Sequence, residues 1–379
     1  MIAEDRVAGA FALLDGYVTD DVLPGAAAIV GYQGRIIGEH YTGLADAVAR
    51  RPITADTLFA VASLTKPLTA TALMALVERG LCSLDEPVGQ IAPELAALSR
   101  GVTVRHLLTH TSGLPGFAPQ NEALRAAQAP LPTLLEAFLR CSPGYAPGTA
   151  FRYSNAGVAA QAALIARLSG VGYHEAVATL ALRPLGMHDS FLPVARAHWS
   201  RIAQVADAAY AGLPHESFNS PYFRSLGLPW GGLYATARDI HRFLTYFLAA
   251  WPADDDQAET ATEREGPLSP ATRRAMTVAQ VAVPPASPHP DDDLDAQAWP
   301  VVEWGLGWEI KGAKRPHRTG ELTSPRTFTH AGAAGALMWA DPASGLSCVL
   351  LTNRALASGW ATTPARHARF SNAVAAAAR

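Results

Sequence analysis

Two different hydrophobic periods run along this chain, and the switches between them mark its elements. Val7, Phe11, Leu14 and Tyr17 recur at helical spacing and predict a helix over 4–20. Strands roughly over 25–32 and 35–43 then flank Gln33-Gly34, and their alternation with the glycine signals a β-hairpin. A loop holding Arg51-Pro52-Ile53 leads through Thr57-Leu58-Phe59-Ala60-Val61 into a helix that begins near Ser63. That helix stops at Val77-Glu78-Arg79-Gly80, where glycine suits the left-handed residue just past a helix end. From about 85 to 250 the pattern is mostly helical, at 103–110, 120–128, 132–140, 155–169, 173–182 and 236–250. Thr236 with Asp239 resembles a capping box in which Asp replaces Glu.

Residues 252–300 break this rhythm. Asp254-Asp255-Asp256, Pro284-Pro285 and Asp291-Asp292-Asp293 make an acidic, proline-rich stretch with one short helix near 269–278, which reads as a solvated excursion. Strand patterns return at 304–310, 327–330, 336–340 and 346–352, and an alanine-rich helix over 361–378 follows. Strands at both ends around a helical middle predict an α/β (α+β) fold: one antiparallel sheet formed by the N- and C-terminal segments and flanked by helices. The expected organisation is 1–84 plus 301–379 as the α/β domain, with 85–300 as a mostly helical insertion.

Composition narrows the function classes. With 379 residues, 49% hydrophobic and 17% charged, the chain can bury a large core. A net charge of -3 and no basic stripe give no electrostatic case for nucleic acid. The longest apolar stretches are strand-length, as at 26–31, or one side of a helix, as at 69–77, so no membrane span is expected. The N-terminal segment Met1-Ile2-Ala3-Glu4-Asp5-Arg6 lacks the features of a secretory signal. Cys82, Cys141 and Cys348 are odd in number, far apart and never spaced as CxxC. A cytoplasmic protein with no disulfide framework, no metal and no organic cofactor is the expectation.

Lysine usage changes the picture. Of 30 basic residues 27 are arginine, and the only lysines are Lys66, Lys311 and Lys314. Lys311 and Lys314 flank Gly312-Ala313 and read as solvated loop residues. Lys66 stands three residues after Ser63, so amine and hydroxyl share one helix face. A serine hydroxyl is a poor nucleophile until a base takes its proton; a desolvated lysine can do so, whereas a guanidinium cannot. A surface lysine remains the alternative on these residues alone. Tyr153-Ser154-Asn155 offers a phenol that a neighbouring cation can bias towards phenolate, and an amide that both donates and accepts. Its alternative is a core aromatic followed by an Asn N-cap for helix 156–169. Thr329-His330-Ala331-Gly332-Ala333-Ala334-Gly335 marks a strand end where glycines allow close backbone approach and an N–H can face an oxyanion, or else a plain hairpin turn.

Together these three pieces resemble the serine β-lactamase-like superfamily, whose members carry S-x-x-K, Y-x-N or S-x-N, and K-T-G elements. Here they run in order as Ser63-Leu64-Thr65-Lys66, Tyr153-Ser154-Asn155 and His330-Ala331-Gly332. The tyrosine form is similar to the class C β-lactamase branch, with its family VIII carboxylesterases, D-aminopeptidases and DD-peptidase-like proteins. Val104 to Leu114, Pro184-Leu185-Gly186-Met187, Gly231 to Asp239 and Gly305-Leu306-Gly307-Trp308 also look like that branch, and only about 252–300 falls outside the likeness. The resemblance implies a β-lactamase/transpeptidase-like fold and an acyl-enzyme on Ser63. Lys66 and Tyr153 would share the serine proton, and the N–H groups of Ser63 and Ala333 would form the oxyanion hole. Asn155, His330 and Gly332 would contact substrate.

The departure lies at His330, where the family has a lysine that helps hold a substrate carboxylate, and at Ala331, which lacks the threonine hydroxyl. A histidine is charged only part of the time near neutrality. The expected activity is therefore hydrolysis of a small or medium carboxylic ester, with weak β-lactam hydrolysis alongside. A β-lactamase proper, a D-amino-acid amidase or peptidase, an acyltransferase and a non-turnover acyl-binding sensor stay open. His106 and His110 are expected to brace a helix-turn element, and Trp230 and Trp308 to form core or pocket wall.

Overall fold

The computed structural model describes residues 2–98, 101–206, 218–251, 266–286, 299–356 and 365–378. The N-terminal helix α1 (Glu4–Thr19) leads into β1 (Gly25–Tyr32) and β2 (Arg35–Asp46). Gln33 and Gly34 both take positive φ (47° and 75°), the turn geometry that matches the natural twist of a hairpin. Short strands β3 (Arg51–Pro52) and β4 (Phe59–Ala60) follow, then a tight turn over Ala62–Leu64 and helix α2 (Thr65–Glu78).

Next come α3 (Val88–Ile91), α4 (Val104–Leu108), α5 (Asn121–Ala126), α6 (Leu131–Leu139), α7 (Asn155–Ser169) and α8 (Tyr173–Val177), which continues as a wider π-turn over Ala178–Leu182. Strand β5 (Ser190–Phe191), α9 (Pro221–Leu226), β6 (Tyr234–Ala235), α10 (Ala237–Leu248), α11 (Pro270–Met276) and β7 (Val281–Val283) complete the middle. Strands β8 (Val302–Trp304), β9 (Glu309–Ile310), β10 (Phe328–Gly332), β11 (Ala336–Asp341) and β12 (Leu346–Thr352) precede a C-terminal helix, Ala365–Ala375. The first four residues of the helix expected over 361–378 lie outside the described residues.

Nine strands form one sheet in the order β3-β2-β1-β12-β11-β10-β9-β8-β7, antiparallel at every described pairing. The two ends of the chain meet at its centre, with Ala28 opposite His40 on one side and Leu350 on the other. Both faces of these central strands are covered. Ala26, Ala28 and Val30 of β1 pack with Val7, Leu14, Trp339 and Phe370 on the outer face, while Ala27 and Ile29 face the helical layer. Burial on both sides explains the unbroken apolar stretch at 26–31 within β1. Helix α2 is likewise buried from Thr65 to Leu76, so it has no solvent-exposed face over that span, contrary to the one-sided helix expected there. It packs against α7.

Three sequence expectations need correction. Asn155 is not the N-cap of α7: Ser154 is, its Oγ accepting the Gly157 N–H at 2.8 Å, and Asn155 is the first helical residue. Part of the excursion belongs to the sheet, since β7 pairs with β8 and Pro284 and Ala286 bond the backbone of Phe151. The rest of 252–300 lies largely outside the described residues.

Third, Lys311 and Lys314 are not solvated. They keep 5% and 3% of their surface, and Lys66 keeps 3%, so every lysine in the chain is buried. Lys311 Nζ donates to Thr323 Oγ1 (2.9 Å), and Lys314 Nζ to Glu309 Oε1 (3.0 Å).

Glu309 also receives His317 Nε2 at 3.3 Å. Burial alone would raise its carboxyl, but the Lys314 ammonium and the His317 ring hold it far below the ordinary range. A depressed carboxyl contributes stability above its unfolded pKa, about 4.3, and loses it as pH falls towards the folded value. Glu309→Gln is therefore expected to cost about 3 kcal/mol near neutral pH, because it strands a buried ammonium. The gap in melting temperature to wild type should close as pH is taken from about 5 to about 2. A gap that stays constant across that range in thermal melts would rule out the ion cluster as its source.

Among the described residues no helix is long and apolar enough to cross a membrane, and no group of three or more His, Cys, Asp or Glu side chains is placed to hold a metal ion. Cys82, Cys141 and Cys348 are free and buried.

Candidate active site

The site is assembled where α2 begins. Ala62 sits at φ 47°, a left-handed conformation that costs an alanine of order 1–2 kcal/mol, and it lifts Ser63 into a half-buried position ahead of the helix. One turn on, Lys66 Nζ lies 2.9 Å from Ser63 Oγ and donates to the backbone carbonyl of Trp230 at 2.8 Å. The lysine thus has a fixed acceptor on one side and the serine hydroxyl on the other. Thr69, three residues further, bonds the Pro229 carbonyl (2.8 Å) and the Tyr173 hydroxyl (2.7 Å), while Thr65 Oγ1 receives the Leu233 N–H (3.1 Å). Residues 229–233 are clamped along the first turns of α2. Strand β6 also pairs with β4, Tyr234 opposite Ala60. The acceptor role of the Trp230 carbonyl was missed in the sequence because a backbone group carries no residue signature; only the Gly231-Gly232 that follows hinted at close approach.

Tyr153 arrives from the segment before α7. Its ring centroid is 4.6 Å from Lys66 Nζ, a cation–π distance, so S-x-x-K and Y-x-N elements about 90 residues apart do meet. Asn155 keeps 6% of its surface, donates its N–H to Gly116 O (3.1 Å), and has a buried Oδ1 with no partner among the described residues.

The third element runs along β10. Gly332 is needed for a contact within the chain: a Cβ there would lie 2.2 Å from the Val61 carbonyl oxygen. The glycine lets β10 close on the turn that carries Ser63. Ala333 is exposed, and its carbonyl is taken by the Leu356 N–H (2.8 Å).

His330 stands beside Tyr153, ring centroids 6.1 Å apart. Burial first, and then the Lys66 ammonium, push its pKa down to about 4, so it is neutral at physiological pH. Its Nδ1 is 2.9 Å from the Ala331 carbonyl. A carbonyl only accepts, so Nδ1 holds the proton and Nε2 presents a bare lone pair. That atom is buried and without a partner among the described residues. The position thus offers an acceptor and no positive charge, a stronger departure from K-T-G than partial ionisation.

His106 and His110 do brace, in different ways. His106 completes a capping box with Thr103 at the start of α4 (Thr103 N–H to His106 Nδ1, 3.2 Å). His110 reaches the site itself, stacking within 4.7 Å of the Tyr153 ring. Thr236 caps α10 as expected, but Asp239 turns its carboxylate to Ser190 Oγ (2.9 Å) rather than back to the cap. Trp308 is core, 5.5 Å from Phe243.

A serine in reach of a buried amine, a ring over that amine, and a strand end against the serine turn make an arrangement chemically suited to nucleophilic acyl transfer. The family model described as Beta-lactamase matches residues 11–369, and the chain belongs to that family. It is 29% identical over 386 residues to Esterase EstB of Burkholderia gladioli, covering 91% of this chain and 89% of the relative. A penicillin-binding protein homologue from Caulobacter crescentus superposes with a TM-score of 0.77 at 22% identity, covering 100% of this chain and 99% of the other. A family VIII carboxylesterase superposes with a TM-score of 0.74 at 21% identity, covering 98% and 96%. At those identities the superpositions speak for the fold.

Proposed function

We propose that this protein is a serine hydrolase that cleaves carboxylic esters through an acyl-enzyme on Ser63. The observation that carries the reading is the 2.9 Å approach of Ser63 Oγ to the buried amine of Lys66. Ser63 Oγ attacks the ester carbonyl carbon while its proton passes to Lys66 and Tyr153. The carbon–oxygen bond to the alcohol breaks as Tyr153 protonates the leaving oxygen, and water then releases the acid and restores the serine. The N–H groups of Ser63 and Ala333 hold the oxyanion, each donor contributing a few kcal/mol (about 3) to the transition state. Asn155 orients Lys66 and substrate, and His330 and Gly332 border the acyl or alcohol portion. The match to an esterase over nine-tenths of the chain supports this reading. Its three unpaired cysteines fit a reducing, cytoplasmic setting.

Incubation with p-nitrophenyl acetate and with nitrocefin, followed by intact mass, tests the assignment. Steady ester turnover with a transient acetyl adduct on Ser63 is expected. A stoichiometric burst with a permanent adduct would instead mark an acyl-binding sensor, and faster nitrocefin than ester turnover would sink the ester preference.

The neutral His330 makes a separate prediction. His330→Lys is expected to shift the kcat/KM ratio of a carboxylate-bearing ester over a neutral one by about 10–100-fold in favour of the former. The basis is the 1.5–3 kcal/mol of a charge-assisted hydrogen bond. Paired assays on p-nitrophenyl hydrogen glutarate and p-nitrophenyl butyrate measure it, and an unmoved ratio would contradict the reading.

A further inference from the structure

His110 combines three features that a merely structural histidine does not need. Its backbone is left-handed, at φ 56°, a conformation that glycine or asparagine adopts at lower cost. Its side chain is buried among aromatic rings, 4.7 Å from Tyr153, 5.1 Å from Trp304 and 5.9 Å from Phe151. It also binds the backbone on both sides of Tyr153. The Arg152 N–H donates to the His110 carbonyl (2.9 Å), and the Ser154 N–H donates to His110 Nδ1 (3.1 Å). The second bond requires the neutral tautomer with its proton on Nε2, because a protonated Nδ1 cannot accept.

The surrounding loop repeats the pattern, Ser154 Oγ donating to the Pro115 carbonyl and the Asn155 N–H to the Gly116 carbonyl. The 110–116 loop is thus a mould for 152–155, and within it His110 packs on the Tyr153 ring and bonds the amides on both sides of it. Strain held at a site of this kind persists when it fixes a geometry that the chemistry uses.

We propose that His110 is the positioning residue for Tyr153: by bonding the amides on either side and packing on the ring, it fixes the tyrosine ring over the Lys66 amine. The inference rests on Tyr153 as proton carrier. It assigns His110 no contact with substrate, so its loss should slow acyl transfer and leave binding alone. Misplacement of a reacting group by about 1 Å costs up to about 100-fold in rate. His110→Ala is accordingly expected to lower kcat for p-nitrophenyl acetate by about 10–100-fold, with KM changed by less than about threefold. Asparagine tolerates the left-handed backbone and carries an acceptor where Nδ1 stands, so His110→Asn should retain kcat to within about threefold.

The deciding experiment is a double-mutant cycle with Tyr153→Phe. If His110 acts through the phenol, adding His110→Ala to Tyr153→Phe should cost less than about twofold further. An equal loss in both backgrounds, or a folded His110→Ala enzyme with wild-type kcat, would overturn the proposal. Should His110→Ala lack a cooperative melt, His110→Asn is compared with His110→Gln, whose acceptor lies one carbon further out. A slow Gln and a near-normal Asn variant support the positioning role, and equal rates overturn it. A Tyr153→Phe enzyme with undiminished turnover rejects the proton-carrier reading itself, and this inference with it. A slowed Tyr153→Phe beside an unimpaired His110→Ala rejects the inference alone.

Discussion

Ser63→Ala is expected to lower kcat for p-nitrophenyl acetate by about 10⁴-fold or more while the fold stays intact. In the proposed mechanism the acyl bond forms on the serine hydroxyl, and the substitution removes it. The neighbouring Lys66 amine is engaged by the Trp230 carbonyl, and the free cysteines Cys82, Cys141 and Cys348 all belong to packed core clusters. The substitution removes one half-buried oxygen from the turn before α2, so thermal stability should move little. Intact mass after incubation with ester should show no acyl adduct. Residual turnover above about a tenth of wild type would place the nucleophile elsewhere in the chain.

Lys66→Arg should be nearly as damaging, with kcat reduced by about 10³-fold and KM altered far less. Both side chains can supply a cation, so a lysine serving only as a positive charge or a structural contact would tolerate the exchange better. A general base has to release its proton, and a guanidinium does not. The site is also narrow. Nζ fits between Ser63 Oγ at 2.9 Å and the Trp230 carbonyl at 2.8 Å, and the larger planar group cannot meet both without displacing one. Steady-state assays on purified variant enzyme decide the matter, and a variant keeping a tenth or more of wild-type kcat would remove Lys66 from the proton path.

The scarcity of lysine gains its meaning from burial. A chain with 27 arginines has cations for its surface, and all three of its lysines are interior. Each sits where a compact ammonium finds two or more oxygens in a small space: Ser63 and Trp230 around Lys66, Thr323 around Lys311, Glu309 and the Ile310 carbonyl around Lys314. Lys311 and Lys314 read as loop residues because Gly312 between them is a turn signal, and a turn signal says nothing about what later packs over the turn. Lys66 was legible because the serine that explains it lies within one helical turn.

Local pattern settled much of this protein. The hairpin at Gln33-Gly34, the helices over 155–169 and 236–250, the strand at 346–352 and the order of the three motifs all depend on residues close in sequence, where periodicity, caps and turn residues act directly. The pairing of chain ends in one sheet followed from where the strand patterns fell. What lies across the sequence was decided by tertiary structure alone. The Trp230 carbonyl beside Lys66, the neutral His330, the grip of His110 on Tyr153 and the Gly332 contact with Val61 each depend on desolvation or on distances between segments far apart in the chain. A sequence names the groups that can do chemistry. Their protonation, their partners and their separation are set by burial and packing, which exist only once the chain has folded.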